Sequence, residues 1–194
     1  MDASLLAPGG APDTRQDTRQ RLIAVAVDLF TRHSFAGTSL QMIADEMGLT
    51  KAAIYHHFRT REQLLNAVLE PVFAELREIV DAAAGRRTAG ARAEAVLRGY
   101  VELAVRHRAL VAVLAGDPSV ADALGAQADR RALIERQLCL LAGADPAGMV
   151  KASFVLAGIS GACRPRFGAP DDDELRAQLL DAGRRALGLR SPRR

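Results

Sequence analysis

TSLQMIADEMGLTKAAIYHHFRTR, residues Thr38–Arg61, is the stretch whose reading decides the fold. Leu40, Ile43, Ala44 and Met47 fall at i, i+3, i+4 and i+7, which makes one apolar stripe on a first short helix. Gly48 ends it, since glycine takes the left-handed conformation that reverses the chain at little steric cost, and the small Ala44 admits a second helix closely. Thr50 caps that second helix, whose inner face needs only Leu49, Ile54 and Phe58. The opposite face carries Lys51, Ala52, Ala53, Tyr55 and His56, with His57, Arg59 and Arg61 following, and no acidic residue interrupts it between Met47 and Arg61.

Such a face suits DNA. A helix of about seven residues is roughly 10 Å long and enters a major groove about 12 Å wide with its N-terminal residues leading. The backbone N–H groups behind Thr50, the Lys51 ammonium and the Tyr55 hydroxyl are donors for phosphate, and the methyls of Ala52 and Ala53 allow close approach and contact with thymine methyls. The pattern therefore reads as a helix-turn-helix. The plainer alternative is a helical hairpin with a solvated basic edge.

From Thr18 to Leu69 the chain resembles the DNA-binding domain of the tetracycline-repressor-like (TetR) family of bacterial regulators. The resemblance is carried by Leu29-Phe30, Phe35-Ala36-Gly37-Thr38-Ser39, Ile43-Ala44, the run from Met47 to Phe58, and Arg61-Glu62-Gln63-Leu64-Leu65. It implies an all-α fold in which an N-terminal three-helix domain is followed by a C-terminal helical bundle for ligand binding and dimerisation. It also implies phosphate contacts at Thr38 and Arg61, where the family usually has lysine at the latter, and DNA-facing or phosphate-contacting positions at His56 and His57. In the family the last two long helices pair with their copies across a two-fold axis.

The chain has 194 residues, 49% of them hydrophobic, enough to bury a core. No run approaches the ~18 to 20 apolar residues of a membrane span, and Met1-Asp2-Ala3 does not open a signal peptide, so a cytoplasmic protein with no membrane partner is expected. The net charge of +3 does not mark the DNA-binding part: residues 1–70 hold seven Lys+Arg against eight Asp+Glu, the other 124 nineteen against fifteen. Local sign matters at the scale of screening, and the recognition stretch is uniformly basic. Cys139 and Cys163 sit in apolar helical patterns and read as buried free thiols. His56 and His57 are consecutive, about 100° apart on a helix, so they do not chelate one ion. No catalytic set, metal site or cofactor motif is found, and the expectation is a protein that is not an enzyme and carries no cofactor.

In chain order, residues 1–14 read as a disordered arm, 15–66 as the DNA-binding domain, 67–188 as the ligand-binding and dimerisation domain, and 189–194 as a disordered tail. Arg15, Arg19 and Arg21 are placed either along the DNA backbone or on a solvated helix start. About nine helices are expected from periodicity and caps. Asp17 with Gln20, Thr38 with Gln41, and Thr60 with Gln63 have capping-box spacing, and Asp117-Pro118 and Asp145-Pro146 read as N-caps followed by proline, the former opening one long seventh helix to Leu141. Pro71 falls inside the fourth helix and predicts a kink there. The segment Arg164–Pro170 is expected to end the eighth helix, whose residues are apolar or small almost all round.

The function expected is a ligand-responsive transcriptional regulator, a homodimer that reads a palindromic double-stranded DNA operator and is released by a small apolar or amphipathic effector. Tyr100, His107, Gln127, Cys139 and Ser153 are the candidate pocket residues, being polar or semi-polar members of otherwise apolar helices. With two tyrosines, six phenylalanines and no tryptophan, the pocket is expected to be aliphatic. The alternatives are an activator of the same fold, and a helical ligand-binding or protein-interaction module that does not bind specific DNA.

Overall fold

The computed structural model describes residues 14–114, 117–125, 127–163 and 171–189. Among the described residues ten helices and no strand are present: α1 (Thr14–His33), α2 (Leu40–Glu46), α3 (Lys51–His57), α4 (Arg61–Ala84), α5 (Ala89–Arg106), α6 (Arg108–Leu114), α7 (Pro118–Gly125), α8 (Ala128–Ala142), α9 (Pro146–Ala162) and α10 (Asp172–Leu187). The expected arm, the expected tail and the segment 164–170 lie outside the described residues, apart from Thr14, which is already helical, and Leu189.

The first three helices close on a small core. Leu22, Ala26, Leu29 and Phe30 of α1 are buried against Ile43 and Ala44 of α2 and Ile54 of α3. Phe35 fills the corner after α1, its ring edge-on to that of Phe30 at 5.3 Å. A seven-residue helix is far too short to be stable alone. Ile54 and Phe58, at 0% and 2% exposure, hold α3 in place, each with a burial gain of about 1.5–3 kcal/mol. Gly48 takes φ +65°, the left-handed conformation expected at the turn, and Thr50 Oγ1 accepts from the Ala53 N–H at 3.3 Å to cap α3.

Two of the expected caps are corrected. α1 is under way by Thr14, so Asp17 lies in its first turn and does not cap it. Helix α2 is capped by Ser39, whose Oγ accepts from the Met42 N–H at 3.1 Å, and not by Thr38. The capping-box spacing of Thr38 and Gln41 is one residue out of register. Gln41 instead donates to Asp45 at 2.7 Å along the outer face of α2. The third box is present in part: Thr60 Oγ1 accepts from the Gln63 N–H at 3.1 Å, and Gln63 Oε1 accepts from the N–H of Arg59 at 2.9 Å.

Helix α4 runs unbroken through Pro71, whose ring lies on the exposed side, and crosses positions 66–67, where a division between domains was expected. It packs on α1 on one side and on α5 and α8 on the other. Val96, Leu97, Val101 and Ala104 make α5 the centre of the C-terminal bundle, which packs against α4, α8 and α10. The expected seventh helix is two: α7 ends at Gly125, since glycine is a poor residue to carry a helix onward, and the chain enters α8 through an extended Gln127. Asp145 accepts from the N–H groups of Ala147 and Gly148, both at 3.1 Å, ahead of Pro146, as expected from the sequence. Helices α9 and α10 lie against each other. Among the described residues no single helix is long and apolar enough to cross a membrane.

Candidate nucleic-acid interface and effector cavity

With Ile54 buried, the helical period puts Lys51, Ala52, Tyr55 and His56 on the outside of α3, and all four are exposed, Tyr55 by 43%. Ala53 and His57 are half-buried at the edges of that face. The Lys51 ammonium stands 5.8 Å from the centroid of the Tyr55 ring, close enough for a weak cation–π attraction that pre-orders both donors. α1 extends the basic surface: Arg15, Arg19, His56 and His57 line one hollow of about 340 Å³, and the Arg19 guanidinium lies 5.1 Å from the Phe58 ring centroid. Burial lowers the pKa of His57, and the positive charges of His56, Arg15 and Arg19 lower it further. This cluster is a place where a phosphate would relieve repulsion between cations.

The turn between α1 and α2 is gripped from two directions. Arg61 Nη1 donates to the carbonyl oxygens of Phe35, Ala36 and Thr38 at 3.2, 3.1 and 3.1 Å, and its guanidinium lies 5.0 Å from the Phe35 ring centroid. From the other side, the carboxylate of Asp117 accepts from the N–H of Ala36 at 2.9 Å, and also from the N–H and hydroxyl of Ser119. Burial pulls the pKa of Asp117 upward, but these hydrogen bonds outweigh it and the carboxyl is held below its ordinary value.

A second feature is a cavity of about 470 Å³ among α4, α5, α8 and α9, to which α6 and α7 contribute Val111 and Leu124. That volume lies within the range of small-molecule sites. Its walls are aliphatic apart from Phe73 and Tyr100, with polar atoms from Tyr100, Gln137, Ser153 and Ser160. The Tyr100 hydroxyl lies 2.8 Å from Ser160 Oγ, which itself donates to the Leu156 carbonyl at 2.9 Å.

Residues 22–68 match the family model of bacterial regulatory proteins of the tetR family. Over 96% of its length the chain superposes on 96% of a solved member of the TetR transcriptional regulator family, SCO3833 from Streptomyces coelicolor A3, with a TM-score of 0.66 and 26% identity. The segment 22–68 is thus that of a tetR-family DNA-binding domain, and the chain as a whole is similar in fold to members of that family. Among curated relatives, the transcriptional regulator Rv1816 of Mycobacterium tuberculosis is 32% identical over 111 residues, 54% of this chain and 47% of that protein. The transcriptional repressor KstR2 of Rhodococcus jostii is 32% identical over 81 residues, 39% of this chain and 40% of that protein. The chain thus spans about half or less of the length of these relatives. These relatives are transcriptional regulators by name.

Several expected site residues move. Thr38 is 1% exposed, and its hydroxyl donates to the Ser34 carbonyl at 2.8 Å with that of Leu29 at 3.3 Å, so its side chain is a buried strut and offers nothing to a phosphate. Arg61 spends its charge on three carbonyls of the turn, a structural clamp where a free phosphate donor was expected. Thr50, Lys51, Ala52, Tyr55 and His56 remain outward.

Of the expected pocket residues, the fold brings Tyr100 and Ser153 to the cavity. The other three are corrected. Gln127 stands at the N-cap position of α8 without a side-chain capping bond and donates to Asn66 Oδ1 at 2.5 Å, beside Arg130, which donates to the same oxygen at 2.9 Å. Cys139 faces Met149, with 3.9 Å between sulfurs, because it lies about 200° round α8 from the cavity side. His107 caps α5 and meets Glu75 at 3.0 Å over a separate hollow beside Pro71. Sequence reasoning missed Gln137 and Ser160. Gln137 was legible in principle, because Leu133, Gln137 and Leu141 are buried at i, i+4 and i+8 and the glutamine breaks that apolar stripe.

Proposed function

We propose that this protein is a DNA-binding transcriptional regulator that responds to a small molecule, acts as a homodimer on a palindromic operator, and represses. The observation that carries the reading is the outward polar face of α3, which leads with Lys51 and Tyr55 while Ile54 is fully buried behind it. That geometry suits a helix laid in a major groove, with Thr50 and its following N–H groups toward a phosphate. In this reading residues 15–66 hold the DNA, 67–188 hold the effector and the dimer contact, and α4 belongs to both. The work is done beside the chromosome, in the cytoplasm.

One head reads few base pairs, so two are required, about 34 Å or a multiple apart. The dimer is supported by α9, on which Val150 and Phe154 are 71% and 73% exposed. Large apolar side chains bared together on a helix face mark a surface meant to be covered. The aliphatic cavity supports an apolar or amphipathic effector. An effector that favours a wider separation of the heads releases both half-sites, and turning 1:99 into 99:1 needs about 5.5 kcal/mol of differential binding. Repression is favoured because a compact dimer obstructs polymerase without further contacts, and the Rhodococcus relative is a repressor by name.

Footprinting on the intergenic DNA beside the gene tests the reading. A protected palindrome, with mass measurement giving two chains per site, is expected. Binding with no sequence preference would replace this proposal with a ligand-binding or interaction module that has no operator.

A further inference from the structure

The chemistry of the effector can be narrowed, and this step rests on the cavity being the effector site. Gln137 is 2% exposed and lines the cavity. Its Nε2 is the one buried side-chain polar atom among the described residues with no hydrogen-bond partner. A buried amide N–H left unmade costs about 1–3 kcal/mol, so such a group in a cavity wall is a donor held ready for an acceptor.

Of the other polar groups of the wall, Tyr100 and Ser160 are already paired, and Ser153 is exposed, so its hydroxyl is not a buried donor without a partner. Ser160 Oγ gives its proton to the Leu156 carbonyl, so the 2.8 Å contact with Tyr100 uses the phenol proton. Burial raises the Tyr100 pKa, and the phenol stays neutral. Among the described lining residues none carries a charge. A carboxylate or ammonium brought into these walls would lose its hydration with no counter-charge to meet it. A pure hydrocarbon would fill the space but leave the Gln137 N–H unsatisfied.

We infer that the cavity binds a neutral, mainly apolar molecule carrying a carbonyl-type oxygen, which accepts a hydrogen bond from Gln137 Nε2. The aliphatic walls supply the affinity, and the buried donor fixes which end of the molecule enters.

Matched ten-carbon probes test this by equilibrium dialysis against the full-length protein: 2-decanone, decane, decanoate and decylamine. The ketone is expected to bind roughly five- to tenfold more tightly than the hydrocarbon, with both ions weaker still. In Gln137→Leu, which keeps the volume, the ketone should lose that margin while decane holds or improves. Equal affinity of wild type for ketone and hydrocarbon, a preference for either ion, binding of no probe, or full ketone affinity in a folded Gln137→Leu would each overturn the inference. The wild-type comparison stands even where the variant fails to fold. Footprinting of the ligand-free protein is run alongside. A protected operator with the wrong probe preference sinks only the effector chemistry, whereas no operator sinks the regulator reading first.

Discussion

The Asp117 carboxylate accepts a hydrogen bond from the backbone N–H of Ala36 across 2.9 Å, joining residues 81 apart in the chain. Asp117 opens α7, and Leu124 near the other end of α7 borders the cavity. Ala36 lies in the turn that leads into the helix-turn-helix. One short helix therefore touches both the cavity and the DNA-binding head.

Asp117→Ala is expected to lower stability by about 1–2 kcal/mol, from the loss of a helix cap and of the charge-assisted hydrogen bond to the part-buried Ala36 N–H. Because the folded pKa lies below the ordinary value, the carboxylate stabilises the fold at pH values above about 3.9, and that contribution is lost as pH falls through the lower folded value. Urea unfolding of wild type and variant should differ fully at pH 7 and converge below about pH 4. A constant difference across that range would separate the effect from ionisation.

Arg61→Ala should unfold more easily than wild type, by about 1–3 kcal/mol, because three carbonyls of the turn lose a charged donor. At temperatures where it is folded, its DNA binding should keep the wild-type salt slope. A slope reduced by about one, with unchanged melting, would restore Arg61 to the phosphate contacts.

Lys51→Ala is the opposite case. The side chain is exposed and bears on no core residue, so melting should be unaffected. DNA binding should weaken for all sequences, with the log–log salt slope falling by about 0.9. Gel shifts at several salt concentrations measure it, and an unaltered slope would remove α3 from the DNA.

Phe154→Glu should give a folded monomer by sedimentation at concentrations where wild type is a dimer. Each copy forgoes the burial of an aromatic side chain, about 1.5–3 kcal/mol, and two like charges face each other across the axis. Persistence of the dimer would place the interface elsewhere than this face of α9.

His57 titrates below its usual 6.5, for burial and then three neighbouring cations hold it neutral. A DNA phosphate beside it would raise that pKa, so binding should take up a proton and strengthen as pH falls below about 6.5. In the free protein the sign is reversed: the unfolded state binds the proton more readily, and stability declines over the same interval. His57→Gln should flatten both profiles, and a wild-type affinity independent of pH between 5 and 7 would dismiss the phosphate neighbour.

The local signals in the chain determined a good deal by themselves. Spacing of Leu40, Ile43 and Ala44, the positive φ at Gly48, the Thr50 cap and the burial of Ile54 all follow from side-chain period and backbone sterics within a few residues, and so the two short helices and the outward face of α3 were readable. Asp145 before Pro146 was readable for the same reason. Tertiary structure decided whatever depended on a partner distant in sequence. Thr38 looked like a cap because cap spacing is local, but its hydroxyl is claimed by carbonyls at the end of α1. Arg61 looked like a free cation until the turn of Phe35 to Thr38 was folded beneath it. Polar residues in apolar helices are equally conspicuous in sequence, yet helix packing alone set Gln137 toward the cavity, Cys139 away from it and Gln127 onto Asn66, since a rotation of about 200° separates neighbours two residues apart. Periodicity states which residues share a face. Which face meets the cavity is fixed by long-range packing, and that information is not local to any stretch of the chain.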